Sequence, residues 1–361
     1  MRRPLLWITF ALYVFVLLEV ASRTFMALQF GAPFWAPRDV IDHYYPEIAP
    51  VVRLAPRPDD GSFDVLILGA SVINDTWGNV AELLADGWSD TVQMPVRIHN
   101  LSKPSHTTLD SYYKYLNLDG ARFDQVVLYH GINEVRANNA PPDVFRTDYS
   151  HYRWYEEVNR IHSHRELGVL AFPFVLAHGF SLAREMLGMR EYVPLGQPRY
   201  DWVYHGKVVK TAPAFRRNVE RIIELAHARG EPLVLMTFAF FVPEGGWPEQ
   251  FEVQRSEWGV FRTGVRVWGR EENVIAALEA HNRVIAELAA ENPDVVFVDQ
   301  YRLMPGDKQH FTDICHLTVR GCRAFADHVL EATRPPDPPV PTPSSPPQAN
   351  LISRAKVAPV L

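Results

Sequence analysis

Cysteine is nearly absent from this chain: two in 361 residues, Cys315 and Cys322. Two thiols seven positions apart do not make a zinc pattern, and they speak against a disulfide scaffold as well as a structural zinc site. Excess positive charge is missing too. Thirty-six Lys and Arg stand against 42 Asp and Glu, a formal charge of -6, so nothing electrostatic favours nucleic acid. No Walker sequence and no Gly-x-Gly-x-x-Gly follows the first predicted strand, which removes the usual phosphate cradle of nucleotide binders. The strained Gly-x-Ser-x-Gly elbow of α/β-hydrolases is also lacking, because Ile73 stands where its second glycine would be.

What the chain does have is core-forming material, with 47% hydrophobic and 12% aromatic residues. At this length it can form one large α/β domain with insertions or two ordinary domains. Met1-Arg2-Arg3 precedes the apolar run from Pro4 to Leu18, and Glu19 is the first charge after Arg3. Continued past Glu19 and Arg23 to Phe25 and Met26, this run predicts an uncleaved membrane anchor over residues 1–26; a signal peptide is the rival. In either case the two arginines hold the N-terminus in the cytoplasm and send the rest outward, to an extracytoplasmic location. Residues 27–61, rich in proline, aromatics and charge, read as a juxtamembrane linker packed onto the domain.

A strand–helix alternation follows over 62–334. The predicted strands are Val65–Leu68, Val96–His99, Gln125–Tyr129, Leu233–Phe238 and Val295–Val298. The helical stripes between them include Thr107–Leu118, Ala214–Arg229, Asn273–Glu291 and Val319–Ala332. Asn74 or Asp75 is expected to cap a helix that starts near Thr76. The periodic pattern fails at about 136–212 and 241–270, two stretches rich in aromatics that read as irregular insertions. The proline-rich tail 335–361 reads as disordered. Strands alternating with helices predict an α/β fold: three layers around a five-stranded parallel sheet in the flavodoxin-like order 2-1-3-4-5. In such sheets the working site lies beyond the carboxyl ends of the strands.

Four of those ends are polar. They are Gly69-Ala70-Ser71, the stretch His99 to Thr108, His130-Gly131-Ile132-Asn133-Glu134, and His310 to Thr318. Asp313 and His316, three apart in a turn, can set a carboxylate beside an imidazole, which frees the other ring nitrogen to take a proton from a serine hydroxyl. Asn133 and backbone amides near Ser71 and Ser102–Ser105 are donors for a developing oxyanion. The plain alternatives are a capping serine, an Asx turn at Asn133, and an incidental histidine. His162 and His164 can be a metal pair or merely a loop pair. Trp247, Trp258 and Trp268 can stack on sugars, line an acyl groove, or serve as packing. Cys315 and Cys322 can bridge or simply fill space.

In order and spacing these four blocks resemble those of the SGNH/GDSL hydrolases, over roughly 64–138 and 233–329. The resemblance implies a serine esterase with Ser71 as nucleophile, His316 as base and Asp313 as its orienting acid. It also implies an oxyanion site at Asn133 and Ser105 beside Gly131, and no metal or cofactor. Three departures stand out: Gly-Ala-Ser-Val replaces Gly-Asp-Ser-Leu, Glu134 takes the place of the usual Asp, and Ser105 falls on the oxyanion glycine. A positive φ there would cost a non-glycine residue about 1 kcal/mol. The implied partner is an ester substrate, for which an outward-facing location suggests an acylated glycan. A lipid esterase or thioesterase, and a non-catalytic surface protein of the same fold, are the alternatives. The oligomeric state stays open.

Overall fold

The computed structural model describes residues 2–193, 202–247 and 264–334. Within them the chain runs α1 (Arg2–Phe30), α2 (Ile41–Tyr44), α3 (Ile48–Leu54), β1 (Phe63–Gly69), α4 (Val80–Val92), β2 (Val96–Asn100), α5 (Thr108–Leu116), β3 (Gln125–Tyr129), α6 (Ile132–Asn138), α7 (Arg153–Ser163), α8 (Phe172–Met186), α9 (Ala212–Arg229), β4 (Leu233–Met236), α10 (Glu271–Glu291), β5 (Val296–Val298), α11 (Gln300–Leu303) and α12 (Val319–Ala332). The five strands form a parallel sheet in the order β2-β1-β3-β4-β5, as expected. In register, Ile67 of β1 lies beside Asn100 of β2, and Gly69 beside Tyr129 of β3, so three polar strand ends meet at one edge.

Strand alternation sends Val65 and Ile67 to one face of the sheet and Leu66 and Leu68 to the other. The first face packs Leu84 and Trp88 of α4 and Phe325 and Val329 of α12. The second packs Leu109 of α5 and Phe215 and Ile222 of α9, and its apolar cluster extends to Tyr45, Ile48 and Val51. Residues 27–61 therefore contribute buried side chains to the same core as the sheet. Burying each such aliphatic side chain is worth about 1.5–3 kcal/mol, so this segment is bound tightly to the domain.

Two local expectations change. The helix after β1 starts at Val80, not near Thr76, because Asn74 is spent otherwise: its Oδ1 accepts from the backbone and hydroxyl of Thr76, and its Nδ2 donates to the Ser102 carbonyl at 2.7 Å. The described part of the first insertion contains helices, α7 and α8 among them, where irregular chain was expected. Tyr155, Val158 and Ile161 give α7 a buried face, and α8 packs against α1. Of the second insertion, residues 248–263, including Trp258, lie outside the described residues, as does the tail from 335.

α1 is apolar and exposed along most of its length, with Leu5, Leu6, Trp7 and Phe10 all more than half exposed. It is the one helix among the described residues long and apolar enough to cross a membrane. Its far end enters the domain, where Met26 is fully buried. Glu19 pairs with Arg23 at 2.6 Å and accepts hydrogen bonds from the amides of Ala171 and Phe172, so it caps the N-terminus of α8 from another helix.

Candidate active site

β1 ends at Gly69, where a Cβ would fall 2.4 Å from the Ile73 side chain, so the sharp exit requires glycine. Ser71 opens a single 3-10 turn, Ser71–Ile73, closed by the Asn74 amide donating to the Ser71 carbonyl at 3.1 Å. The nucleophile candidate thus stands well before α4, and its surroundings are set by the amides of this short turn rather than by a helix N-terminus.

The block after β5 folds into a tight loop. An antiparallel bridge joins Phe311 to Leu317, the Thr312 amide donates to the His316 carbonyl at 2.8 Å, and Thr318 caps α12 through the Gly321 amide at 3.0 Å. Inside the loop Asp313 Oδ1 accepts from the amides of Cys315 and His316, at 3.0 and 2.8 Å, while Oδ2 faces His316 Nδ1 at 2.7 Å. The other ring nitrogen, Nε2, lies 2.8 Å from Ser71 Oγ. With a carboxylate at Nδ1 the ring carries its proton there, leaving Nε2 to accept from the serine hydroxyl. Ser71, His316 and Asp313 are all buried. Burial alone would raise the Asp313 pKa, but the adjoining His316 charge and the hydrogen bonds it receives prevail and lower it to about 2. Asp313 therefore remains an anion throughout the physiological range, ready to stabilise an imidazolium.

Asp313, Cys315 and His316 also form the one group of three metal-capable side chains among the described residues. Their geometry is that of a proton relay: the carboxylate and Nδ1 are already bonded to each other, and burial pushes the Cys315 thiol pKa well up. Cys315 and Cys322 are both buried and do not form a disulfide with each other. His162 and His164 face different partners. His162 stacks on Tyr113 at 3.8 Å, and His164 Nδ1 bonds the Arg160 carbonyl.

The other side of Ser71 is formed by the loop after β2 and the start of α6. Ser105 has φ +70°, a left-handed conformation, and its hydroxyl accepts from Arg136 Nη1 at 3.3 Å. Without glycine's freedom this conformation stores about 1–2 kcal/mol. Asn133, at the start of α6, donates one Nδ2 hydrogen to the His106 carbonyl at 2.9 Å and retains a second. Gly131 precedes α6 with extended backbone; a Cβ there would collide with Phe238, so close packing fixes the residue type. Glu134 turns inward and accepts from the Thr108 amide, and burial raises its pKa to about 7.

Sequence reasoning passed over Trp77. Its ring stacks on His316, with centroids 4.0 Å apart and planes 22° apart. The contact fixes the imidazole plane and offers a cation–π partner to its charged form. Trp268, among the tryptophans of the second insertion, is buried and lies 6.4 Å from His316, with Arg136 over its ring. Trp247 packs edge-on to Phe241.

The sequence profile of the GDSL-like Lipase/Acylhydrolase family matches residues 67–324. No curated protein matches the sequence. Among solved structures, the chain is similar to the lipase/acylhydrolase from Enterococcus faecalis at 15% identity and TM-score 0.38, covering 74% of this chain and 94% of that one. It is similar to a GDSL-like lipase from Bacteroides thetaiotaomicron at 14% and 0.42, covering 80% and 96%. It is also similar to the acetylxylan esterase Axe2 from Geobacillus stearothermophilus at 12% and 0.41, covering 75% and 94%.

Proposed function

Because this chain belongs to the GDSL-like lipase/acylhydrolase family of ester-bond hydrolases, we propose that it is a membrane-anchored, extracytoplasmic serine esterase that removes or transfers O-acetyl groups on carbohydrate. Ser71 Oγ attacks the ester carbonyl while its proton passes to His316 Nε2. Asp313 holds the ring in the required tautomer and stabilises the imidazolium. The oxyanion is received by the free Asn133 amide hydrogen and by backbone amides at Ser71 and Ser105. His316 then protonates the leaving alcohol, and water, activated by the same ring, releases the acyl group. The observation that carries this reading is the unbroken line Ser71 Oγ–His316 Nε2, 2.8 Å, and His316 Nδ1–Asp313 Oδ2, 2.7 Å.

The anchor is assigned to the first 26 residues and the catalytic unit to 62–334. Support for the anchor is the exposed apolar surface of α1 behind Arg2 and Arg3, and the exposed Leu176, Phe180 and Met186 of the neighbouring α8. Support for a carbohydrate ester is the outward-facing location, together with the half-buried Trp77 ring at the base, a surface on which a sugar can stack.

A serine-directed fluorophosphonate tests the chemistry: it should label Ser71 in the native chain and leave Ser71→Ala unlabelled. An acyl-length series then tests the substrate. Turnover confined to acetyl esters supports the carbohydrate reading, and preference for long chains replaces it with a lipid esterase.

A further inference from the structure

Asp110 lies in the first turn of α5 and is fully buried. It closes a capping box with Thr107, whose amide donates to Oδ2 at 2.7 Å. A capping box needs one carboxylate oxygen, yet here both are occupied from outside the helix. Oδ2 also accepts from the Tyr155 hydroxyl at 2.6 Å, while Oδ1 accepts from the Tyr45 hydroxyl at 2.8 Å and from Trp154 Nε1 at 2.9 Å. One turn further on, the buried Lys114 pairs with Glu47 at 2.6 Å and donates to the Leu101 carbonyl at 2.5 Å. The stretch from Leu101 to Asp110 is thus pinned at its far end by Tyr45 and by residues of α7, and at its near end by Lys114, itself paired with Glu47 of the N-terminal segment.

That stretch contains the oxyanion side of the site. Ser105 holds its left-handed backbone there, and the His106 carbonyl anchors the Asn133 amide. The His106 ring lies edge-on to Tyr45 at 5.8 Å and tilted to Trp154 at 5.9 Å. A strained backbone conformation persists only where its surroundings over-determine it, and these two aromatic residues are part of those surroundings.

We infer that Tyr45 and Trp154 are positioning residues for ester hydrolysis: through Asp110 and His106 they hold the Ser105 loop and the Asn133 amide where the oxyanion forms. The inference rests on Ser71 being the esterase nucleophile. On this view residues 27–61 are a working part of the site.

The test uses the full-length protein and a p-nitrophenyl acetate assay. Tyr45→Phe and Trp154→Phe each keep a ring and remove one hydrogen bond to Asp110. Each should lower kcat by about 10-fold with KM changed less than about twofold, because the lost alignment matters most when charge develops. In an Asn133→Ala background the same substitutions should cost less, since one of the two donors they hold is already gone. Unchanged kcat in both variants, or equal cost in the two backgrounds, would overturn the inference while leaving the esterase reading in place. A Ser71→Ala chain as active as the parent would overturn the esterase reading, and this inference with it.

Discussion

His316 and Asp313 are three residues apart, and their loop is closed by its own amides. The opposite side of Ser71 is built from afar: Asn133 is anchored 27 residues away at His106, and Asp110 is gripped by Tyr45 from 65 residues away. Apart from the Trp77 ring stacked on His316, the base side is a short piece of chain that carries its geometry with it. The oxyanion side is assembled by tertiary contact and carries a strained residue, Ser105, at its centre. In the proposed mechanism, proton transfer therefore draws on fewer distant contacts, whereas stabilisation of the oxyanion draws on the N-terminal segment and on α7.

The sharpest way to isolate the base side is Asp313→Asn. It removes the anion beside His316 and favours the wrong tautomer, so kcat should drop by about 10^4 with the fold retained, as read by steady-state kinetics and circular dichroism. On the other side, Asn133→Ala should lower kcat by about 10^2- to 10^3-fold, and a loss below tenfold would show that the backbone amides suffice.

Acid should separate the two sides without mutation. Burial lowers the pKa of His130 to about 3 and of His106, His151 and His162 to about 4. These imidazoles stay neutral in the fold and charge on unfolding, so each contributes stability that is present above the ordinary value near 6.5 and lost as pH falls toward 4, at about 1.4 kcal/mol per pH unit. Glu134, with its pKa raised to about 7, contributes the opposite way, favouring the fold below its ordinary pKa and losing that contribution as pH rises through 7. Asp313, lowered to about 2, stays ionised through the whole window. Hydrogen-exchange protection factors, corrected for the slower intrinsic exchange in acid, should therefore fall between pH 7 and pH 4.5 more in 100–115 and 150–163 than around Ser71 and His316; a uniform fall would remove the distinction.

The smallest effect tests the strain. Ser105→Gly relieves the left-handed backbone but adds freedom to the unfolded chain, so stability should hold or rise by less than about 1 kcal/mol in urea melts with kcat kept. A larger loss would mean that the serine hydroxyl beneath Arg136, rather than the backbone, sets the loop.

Legibility in the sequence follows the same division. The five strands, their order and the line Ser71, His316, Asp313 rest on short-range patterns, such as apolar runs ended by polar clusters and an acid three residues before a histidine. α7 escaped because its buried face includes Tyr155 beside the partly buried Trp154, whose polar ends are satisfied by Asp110, so it does not read as an aliphatic stripe. The late start of α4 escaped because Asn74, a good cap by type, holds the Ser102 carbonyl instead, a partner only the fold brings near. Trp77 gave no signal at all: one aromatic residue after a turn becomes notable only when His316 arrives from 239 positions later.

The hydrogen bonds from Ala171 and Phe172 to Glu19 have a mechanical consequence. A catalytic head on a flexible leash sweeps a hemisphere, and its encounter rate with surface-bound substrate is set by the leash length. Here α1 continues as one helix into the domain and is clamped there, so in the anchored reading the head rides on a mast. Its height and facing are fixed, and substrates must pass at that height to be processed.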